Sequence, residues 1–141
     1  MNLIRTAAVI GTLILSATTL HAQQKQLPAD SMELGRKFST WFYTGMADSL
    51  HAYMTAEGQA DMTVDDIQRQ MLTVATRAGN EVSVMEEKFI TRNGARQYWR
   101  TSKMDVMTEP FLLRWVITPD GKIGGAGMGP ASQAPPIDPV Q

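Results

Sequence analysis

The hydrophobic pattern of the chain changes its period once, at Gly79-Asn80. Before this point apolar residues recur every three or four positions, as they do on one face of a helix. The clearest such run is Val64, Ile67, Met71, Val74 and Ala75. After it, residues 81–92 are rich in Val, Ile, Thr and Phe, which favour strands. Because helices and strands occupy separate parts of the chain, the pattern predicts an α+β domain.

Three helices are predicted before the change of period. The first covers residues 31–45, and the second covers residues 46–56 and is closed by Gly58 just after it. The third begins at Thr63, whose spacing from Asp66 resembles a capping box, in which each residue satisfies a backbone N–H of the other.

A hairpin is predicted at Asn93-Gly94, because both central positions of the favoured two-residue turn need a positive φ. If Arg92 and Ala95 flank this turn, three favourable cross-strand pairs arise: Phe89–Tyr98, Lys88–Trp99 and Glu87–Arg100. Each such pair contributes about 0.2–1 kcal/mol. We expect the face that carries the aromatic pair to pack on the helices.

Two further strands, residues 111–118 and 122–128, follow the hairpin and are joined by a Pro-Asp-Gly turn. The glycines of the last strand indicate a bulge or the close approach of another backbone: Gly124, Gly125, Gly127 and Gly129. The predicted fold is α+β, with three N-terminal helices packed on a curled, mostly antiparallel four-strand sheet that is cone-like.

The first 22 residues have the pattern of a secretory signal peptide. Arg5 precedes an uncharged apolar run at 6–20, and Ala22 marks the cleavage site. A membrane anchor is the weaker alternative, since the run is shorter than the roughly 20 residues that span a bilayer. The rest is divided into three predicted parts: a flexible lead at 23–30, an α+β cone domain at 31–129 and a Pro-rich disordered tail at 130–141.

The composition narrows the possible functions. The chain has no cysteine, which excludes disulfides, thiolate metal sites and a cysteine nucleophile. No basic stripe is visible, so we expect no nucleic-acid partner. An exported domain without cysteine fits a bacterial periplasm or secretion from a bacterium. Its many methionines either line an adaptable apolar pocket or fill an ordinary core, and the second is their more usual role.

Three segments carry a resemblance to a known family: residues 38–48, which include Phe-Ser-Thr-Trp-Phe and Gly-Met-Ala-Asp, residues 74–79 and residues 118–125. Together they resemble the nuclear transport factor 2-like superfamily, the cystatin-like α+β cone shared with ketosteroid isomerases and polyketide cyclases. Small exported members of it, some beside hydrolase domains, are the most similar. The resemblance implies a cone mouth that binds an apolar small molecule. In catalytic members, an Asp or His base and a Tyr or Asp donor lie inside it.

Few residues qualify as catalytic or metal-binding candidates. His51 and Asp48 would share a helix face, so the carboxylate could orient the imidazole as an acid–base unit. The alternative is a half-buried or exposed His on an amphipathic helix. Asp61, Asp65 and Asp66 lack the spacing of a calcium loop, and the last two are explained by the helix dipole. We therefore predict no metal and no cofactor.

A ligand pocket is predicted between the first helix and the third strand, where Trp41 and Trp115 should lie near one another. Its expected wall is Trp41, Tyr53, Trp115, Phe38 and Arg114. Arg114 interrupts an apolar strand and could hold a carboxylate with two parallel hydrogen bonds. Alternatively its face is partly solvated, or Glu86 or Glu87 pairs with it. The same aromatic residues could also fill a closed core.

Three functions remain open from the sequence. The first is an exported, non-catalytic domain that binds a small apolar ligand or a protein partner, including a homodimer formed through the sheet. The second is an isomerase- or cyclase-like enzyme that uses His51 and Asp48. The third is an interaction module without a pocket. The first is favoured because no catalytic motif is present, and no contact with the membrane is expected after signal cleavage.

N-terminal sequencing of the protein recovered from its own cells tests the predicted export. The mature chain should begin at Gln23 or within a few residues of it. A mature protein that keeps Met1 and fractionates with the membrane would contradict the prediction.

Overall fold

The structure, a computed structural model, describes residues 31–138. The helices are α1 (Ser31–Tyr43), α2 (Ala47–Tyr53), α3 (Ala56–Asp61) and α4 (Val64–Arg77). The strands are β1 (Glu81–Arg92), β2 (Ala95–Met104), β3 (Phe111–Ile117) and β4 (Ile123–Pro130), and a 3₁₀ turn follows at Ala131–Gln133. All four helices precede the four strands, so the predicted α+β class is confirmed. The predicted signal peptide and lead lie outside the described residues.

The sheet is an antiparallel meander in the order β1-β2-β3-β4, and it is open, with β1 and β4 at its edges. The predicted hairpin is confirmed: φ is 52° at Asn93 and 72° at Gly94. All three predicted cross-strand pairs occur, Phe89 with Tyr98, Lys88 with Trp99 and Glu87 with Arg100. A register shift between Val116 and Ile117 confirms the bulge expected in the glycine-rich last strand.

The predicted number of three helices is wrong by one. Gly58 was expected to end a helix, but it lies inside α3. The reason is a cap that the sequence interpretation missed, because the side chain of Thr55 accepts the backbone N–H of Gly58 at 3.2 Å and starts a new helix. The capping box of Thr63 and Asp66 at the start of α4 is confirmed, with distances of 3.2 and 2.9 Å.

The core lies between the helices and one face of the sheet. That face carries Phe111, Leu113, Trp115 and Ile117 of β3, all buried, as the alternation of the strand predicted. Tyr98 of β2 is buried in the same core, and α1 crosses directly over its ring. A Cβ atom at Gly35 of α1 would lie within 2.6 Å of three carbons of that ring. The absence of a side chain at Gly35 thus sets how closely α1 approaches the sheet.

The opposite face of the sheet is also buried at its centre. Trp99 is only 3% exposed, although its position in β2 turns it away from the core that contains Tyr98. The ammonium of Lys88 lies 5.7 Å from the Trp99 ring centroid, and the guanidinium carbon of Arg114 lies 5.6 Å from it. The predicted Lys88–Trp99 contact is therefore present, and it is made to a ring that is almost fully buried.

The Pro-rich segment makes defined contacts in its described part. Pro130 belongs to β4, one residue beyond the predicted end of the domain. The side chain of Asp138 accepts the backbone N–H groups of Asn93 and Gly94 at 3.0 and 3.3 Å. The guanidinium of Arg92 donates to the carbonyl of Pro136 at 3.1 Å. This segment thus connects the end of β4 with the hairpin turn.

The packing of α1 on the sheet gives a direct test. Gly35→Ala should destabilise the protein by about 1–3 kcal/mol or more, because the new methyl group overpacks the ring of Tyr98. Gly58→Ala is the matched control in α3, where the nearest atom is the mobile end of Met54 and Ala improves helix propensity by about 1 kcal/mol. Urea unfolding compares the two variants. Equal effects would mean that Gly35 does not set the helix position.

Candidate functional site

An apolar cavity of about 240 Å³ lies between α2, α3 and α4 on one side and β3 and β4 on the other. We call it the inner chamber. Its apolar wall includes Leu50, Met54, Met62, Ile67, Trp115 and Met128. Side chains of this kind, with few polar groups among them, are typical of sites for small apolar ligands.

Backbone contacts join the two sides of the inner chamber at one end. The N–H of Thr55 donates to the carbonyl of Ile123 at 3.0 Å, and Met54 forms a parallel bridge with Ile123. These contacts tie the connection between α2 and α3 to the start of β4. The next residues of β4, Gly124 and Gly125, line the chamber with their backbone, and a Cβ atom at either position would contact the side chains of Thr118 or Val116 on the other face of the sheet.

A second, more polar cavity of about 750 Å³ adjoins the inner chamber. We call it the outer cavity. The two share Asp61, Met62, Gln70 and Met128 in their walls. Beyond this boundary the outer cavity is lined by polar residues of α4, such as Arg69. A ligand with an apolar body in the inner chamber would therefore meet a carboxylate and an amide where the two spaces join.

Of the five residues predicted to form the ligand pocket, only Trp115 lines the inner chamber. Phe38 is fully buried, with its ring centroid 6.0 Å from that of Trp41 and 5.9 Å from that of Trp115. Phe38 thus lies in contact with both tryptophans that were expected to be neighbours. The indole N–H of Trp115 donates to the Ser39 hydroxyl at 3.0 Å, which orients the ring.

Trp41 and Tyr53 lie outside the inner chamber and form a cluster with two lysines. Their ring centroids are 5.1 Å apart, and both side chains are half-buried. The ammonium of Lys37 lies 4.8 Å from the Trp41 centroid and 5.0 Å from that of Tyr53, and Lys122 lies 5.3 Å from Tyr53. Such cation–π contacts hold α1, α2 and the start of β4 together.

Arg114 lies on the face of the sheet opposite to the inner chamber. A Cβ at Gly127 would fall within 2.8 Å of three guanidinium atoms, so the absence of a side chain there makes room for Arg114. Burial lowers the pKa of Arg114, and the neighbouring charge of Arg92 adds to this. Among residues 31–138, no carboxylate pairs with Arg114. Glu86 pairs with Lys88 instead.

The candidate acid–base pair does not share a cavity. Asp48 is exposed in the first turn of α2, and His51 is half-buried in its last turn. Neither lines the inner chamber or the outer cavity, and within the described residues no hydrogen bond joins them. The part of the chain that the structure describes also holds no group of three or more His, Cys, Asp or Glu placed to bind a metal.

A network of charged residues between α1 and the hairpin was only partly foreseen. Glu87 accepts from Arg36 at 2.9 Å, from Arg100 at 3.3 Å and from the hydroxyl of Tyr98. Arg100 also pairs with Glu81. Hydrogen bonds from Arg36 hold the pKa of Glu87 below its ordinary value, and burial raises the pKa of Tyr98 to about 12. Glu87 is therefore a fixed, ionised acceptor and a poor base.

The chamber-lining methionines were missed as individual site residues. The only signal was the high methionine count, which was compatible with a pocket or a core.

No protein-family model, curated protein or solved structure matches the chain. None of the helices between residues 31 and 138 combines the length and the apolar character needed to cross a bilayer.

The charged network predicts how stability depends on pH. Because its pKa is lowered in the folded state from 4.5, Glu87 adds stability above that pH, and this stability is lost as the pH falls through the lower folded pKa. Glu87→Gln should therefore be less stable at pH 7 and should lose less further stability towards pH 3. Thermal unfolding across this range measures it. Glu57→Gln, an exposed control, should follow the original chain.

Proposed function

We propose that this chain is a non-catalytic binding domain that holds a small apolar molecule in the inner chamber. The observation that carries the proposal is the chamber itself, in which three methionines and Trp115 surround a space beside β4. Export through the N-terminal signal belongs to the same proposal. Its support is the order of charged, apolar and small residues before Gln23.

The two adjoining spaces indicate the chemistry of the ligand. The inner chamber alone is smaller than the roughly 300–1,000 Å³ of typical ligand sites, but the outer cavity extends it. Asp61 and Gln70 stand at the boundary. We therefore infer a ligand with an apolar body and one polar group that donates a hydrogen bond, such as a hydroxyl. A carboxylate at this place would be repelled by Asp61.

Methionine makes the chamber adaptable. Met54, Met62 and Met128 are unbranched and each has several rotatable bonds, so they fit ligands of different outline. All three are half-buried and pack against the core. This favours a site that accepts a class of apolar molecules over one that selects a single shape.

The cone-like arrangement and the relationship to the nuclear transport factor 2-like superfamily remain part of the proposal. Their support is the order of helices before an antiparallel meander and an apolar space between the two layers. The enzymatic alternative has less support, since His51 and Asp48 do not reach the space in which a substrate would lie.

Ligand binding is tested with a panel of sterols, isoprenoid alcohols and hydrophobic acids, read by tryptophan fluorescence and by thermal shift. We expect saturable quenching and a raised melting temperature with at least one neutral member of the panel. Trp115→Phe should lose most of the quenching but keep the thermal shift, because the reporter is removed and the chamber remains.

A second variant separates the site from the reporter. Ala126 lines the chamber, so Ala126→Phe should fill it and abolish both signals. Ala60→Phe makes the same change on an exposed part of α3 and should bind normally. A folded protein that responds to no member of the panel would contradict the proposal and leave the interaction module.

A further inference from the structure

The β1 edge of the sheet contains a regular, unpaired stretch of strand. β1 is the first strand in the sheet order, so one of its sides has no partner strand among the described residues. Its pairing with β2 is irregular between Glu81 and Ser83 and between Val84 and Glu86, and is regular from there to Arg92. Bulges protect an edge from pairing, so the stretch 86–92 is the part open to another strand.

Three residues of this stretch direct their backbone N–H and C=O groups away from β2. Since Arg92 and Ala95 flank a two-residue turn, they form the first hydrogen-bonded pair of the ladder. Hydrogen-bonded and non-hydrogen-bonded pairs alternate along antiparallel strands. The backbone groups of Thr91, Phe89 and Glu87 therefore point to the open edge, where a further strand would bond to them.

We propose that this edge pairs antiparallel with the same edge of a second copy of the chain, with Phe89 opposite Phe89 on a twofold axis. Three other cross-strand pairs follow, each made twice by symmetry: Glu87–Thr91, Lys88–Ile90 and Glu86–Arg92. The two Glu86–Arg92 pairs join opposite charges at both ends of the paired stretch, which makes the edge complementary to itself.

Charge selects this register over its neighbours. Sliding the two strands by one step towards the bulges places Lys88 opposite Lys88, and a step in the other direction places Lys88 opposite Arg92. A longer slide towards the bulges opposes Glu87 with Glu87. The register centred on Phe89 pairs the whole stretch 86–92 and opposes no like charges, which directly facing residues would otherwise make unfavourable.

The side chains of Arg92 and Glu86 each have hydrogen-bonding atoms that remain available to the second copy. Arg92 uses its Nε for the carbonyl of Pro136, and its terminal nitrogens have no partner among residues 31–138. Glu86 uses one carboxylate oxygen for Lys88, at 3.1 Å. The remaining nitrogens and the second oxygen are therefore available for the Glu86–Arg92 pairs across the interface.

Exposed apolar side chains beside the stretch favour the same partner. Val84 is 42% exposed and Met85 is 60% exposed. In the proposed register they lie next to the hairpin turn of the second copy, which covers them. Pairing along one strand buries less than the roughly 1,200 Å² of the smaller stable interfaces. We therefore expect monomers and dimers in an equilibrium that depends on concentration.

Sedimentation equilibrium of the purified chain tests the proposal through charge. Glu86→Arg and Arg92→Glu should each weaken self-association by about tenfold or more, which is about 1.4 kcal/mol, because each creates two like-charge pairs. Mixed in equal amounts, the two variants should form a heterodimer, since the opposite charges then face each other. The double variant should recover the homodimer. Lys103→Glu, on the central strand β2, is the matched control and should associate normally.

A backbone variant tests the edge itself. Thr91→Pro removes an N–H that points away from β2, so the ladder within the chain is kept while the contact with the second copy is lost. Thr91→Ala is its control, and circular dichroism confirms that both fold. A chain that is monomeric up to its solubility limit would overturn the proposal. So would a dimer that the charge variants and Thr91→Pro leave unchanged.

Discussion

The contact between the backbone of α1 and the ring of Tyr98 determines the position of the helix layer on the sheet. Gly35 allows this approach, because any side chain at that position would occupy the space of the ring. At the ring's far end, the Tyr98 hydroxyl donates to Glu87, which also accepts from Arg36 of α1. Close packing and hydrogen bonding thus act on the same pair of elements, and they fix both the distance and the orientation of α1.

The position of α1 also affects the inner chamber, because α1 contacts Trp115, which lines it. Ser39 lies about one turn from Gly35 along the helix. It accepts the indole N–H of Trp115, while its own hydroxyl donates to the carbonyl of Gly35. Phe38 packs edge-on against the same indole. The orientation of Trp115 in the chamber wall is therefore coupled to the position of α1, and that position is set by the contact of α1 with Tyr98 of β2.

Local signals explain what could be predicted from the sequence. The turn at Asn93-Gly94 sets the register of β1 and β2, and side-chain alternation then gives the core face of β3. The inner chamber depends instead on contacts between distant residues, such as Thr55 with Ile123. Nothing in the sequence near Thr55 signals this contact. For the same reason Glu87 was expected to pair with Arg100, its cross-strand neighbour, but not with Arg36, which is distant in sequence.

The chamber-lining methionines make the polarity of the inner chamber sensitive to oxidants in the surroundings. The chain has no cysteine, so its thioethers are the sulfur groups that oxidants reach. Met54, Met62 and Met128 are half-buried around the inner chamber. Their oxidation to sulfoxides would replace an apolar, flexible wall with polar, chiral groups that accept hydrogen bonds. The inner chamber would then bind apolar groups more weakly, and enzymatic reduction of the sulfoxides would restore the apolar wall.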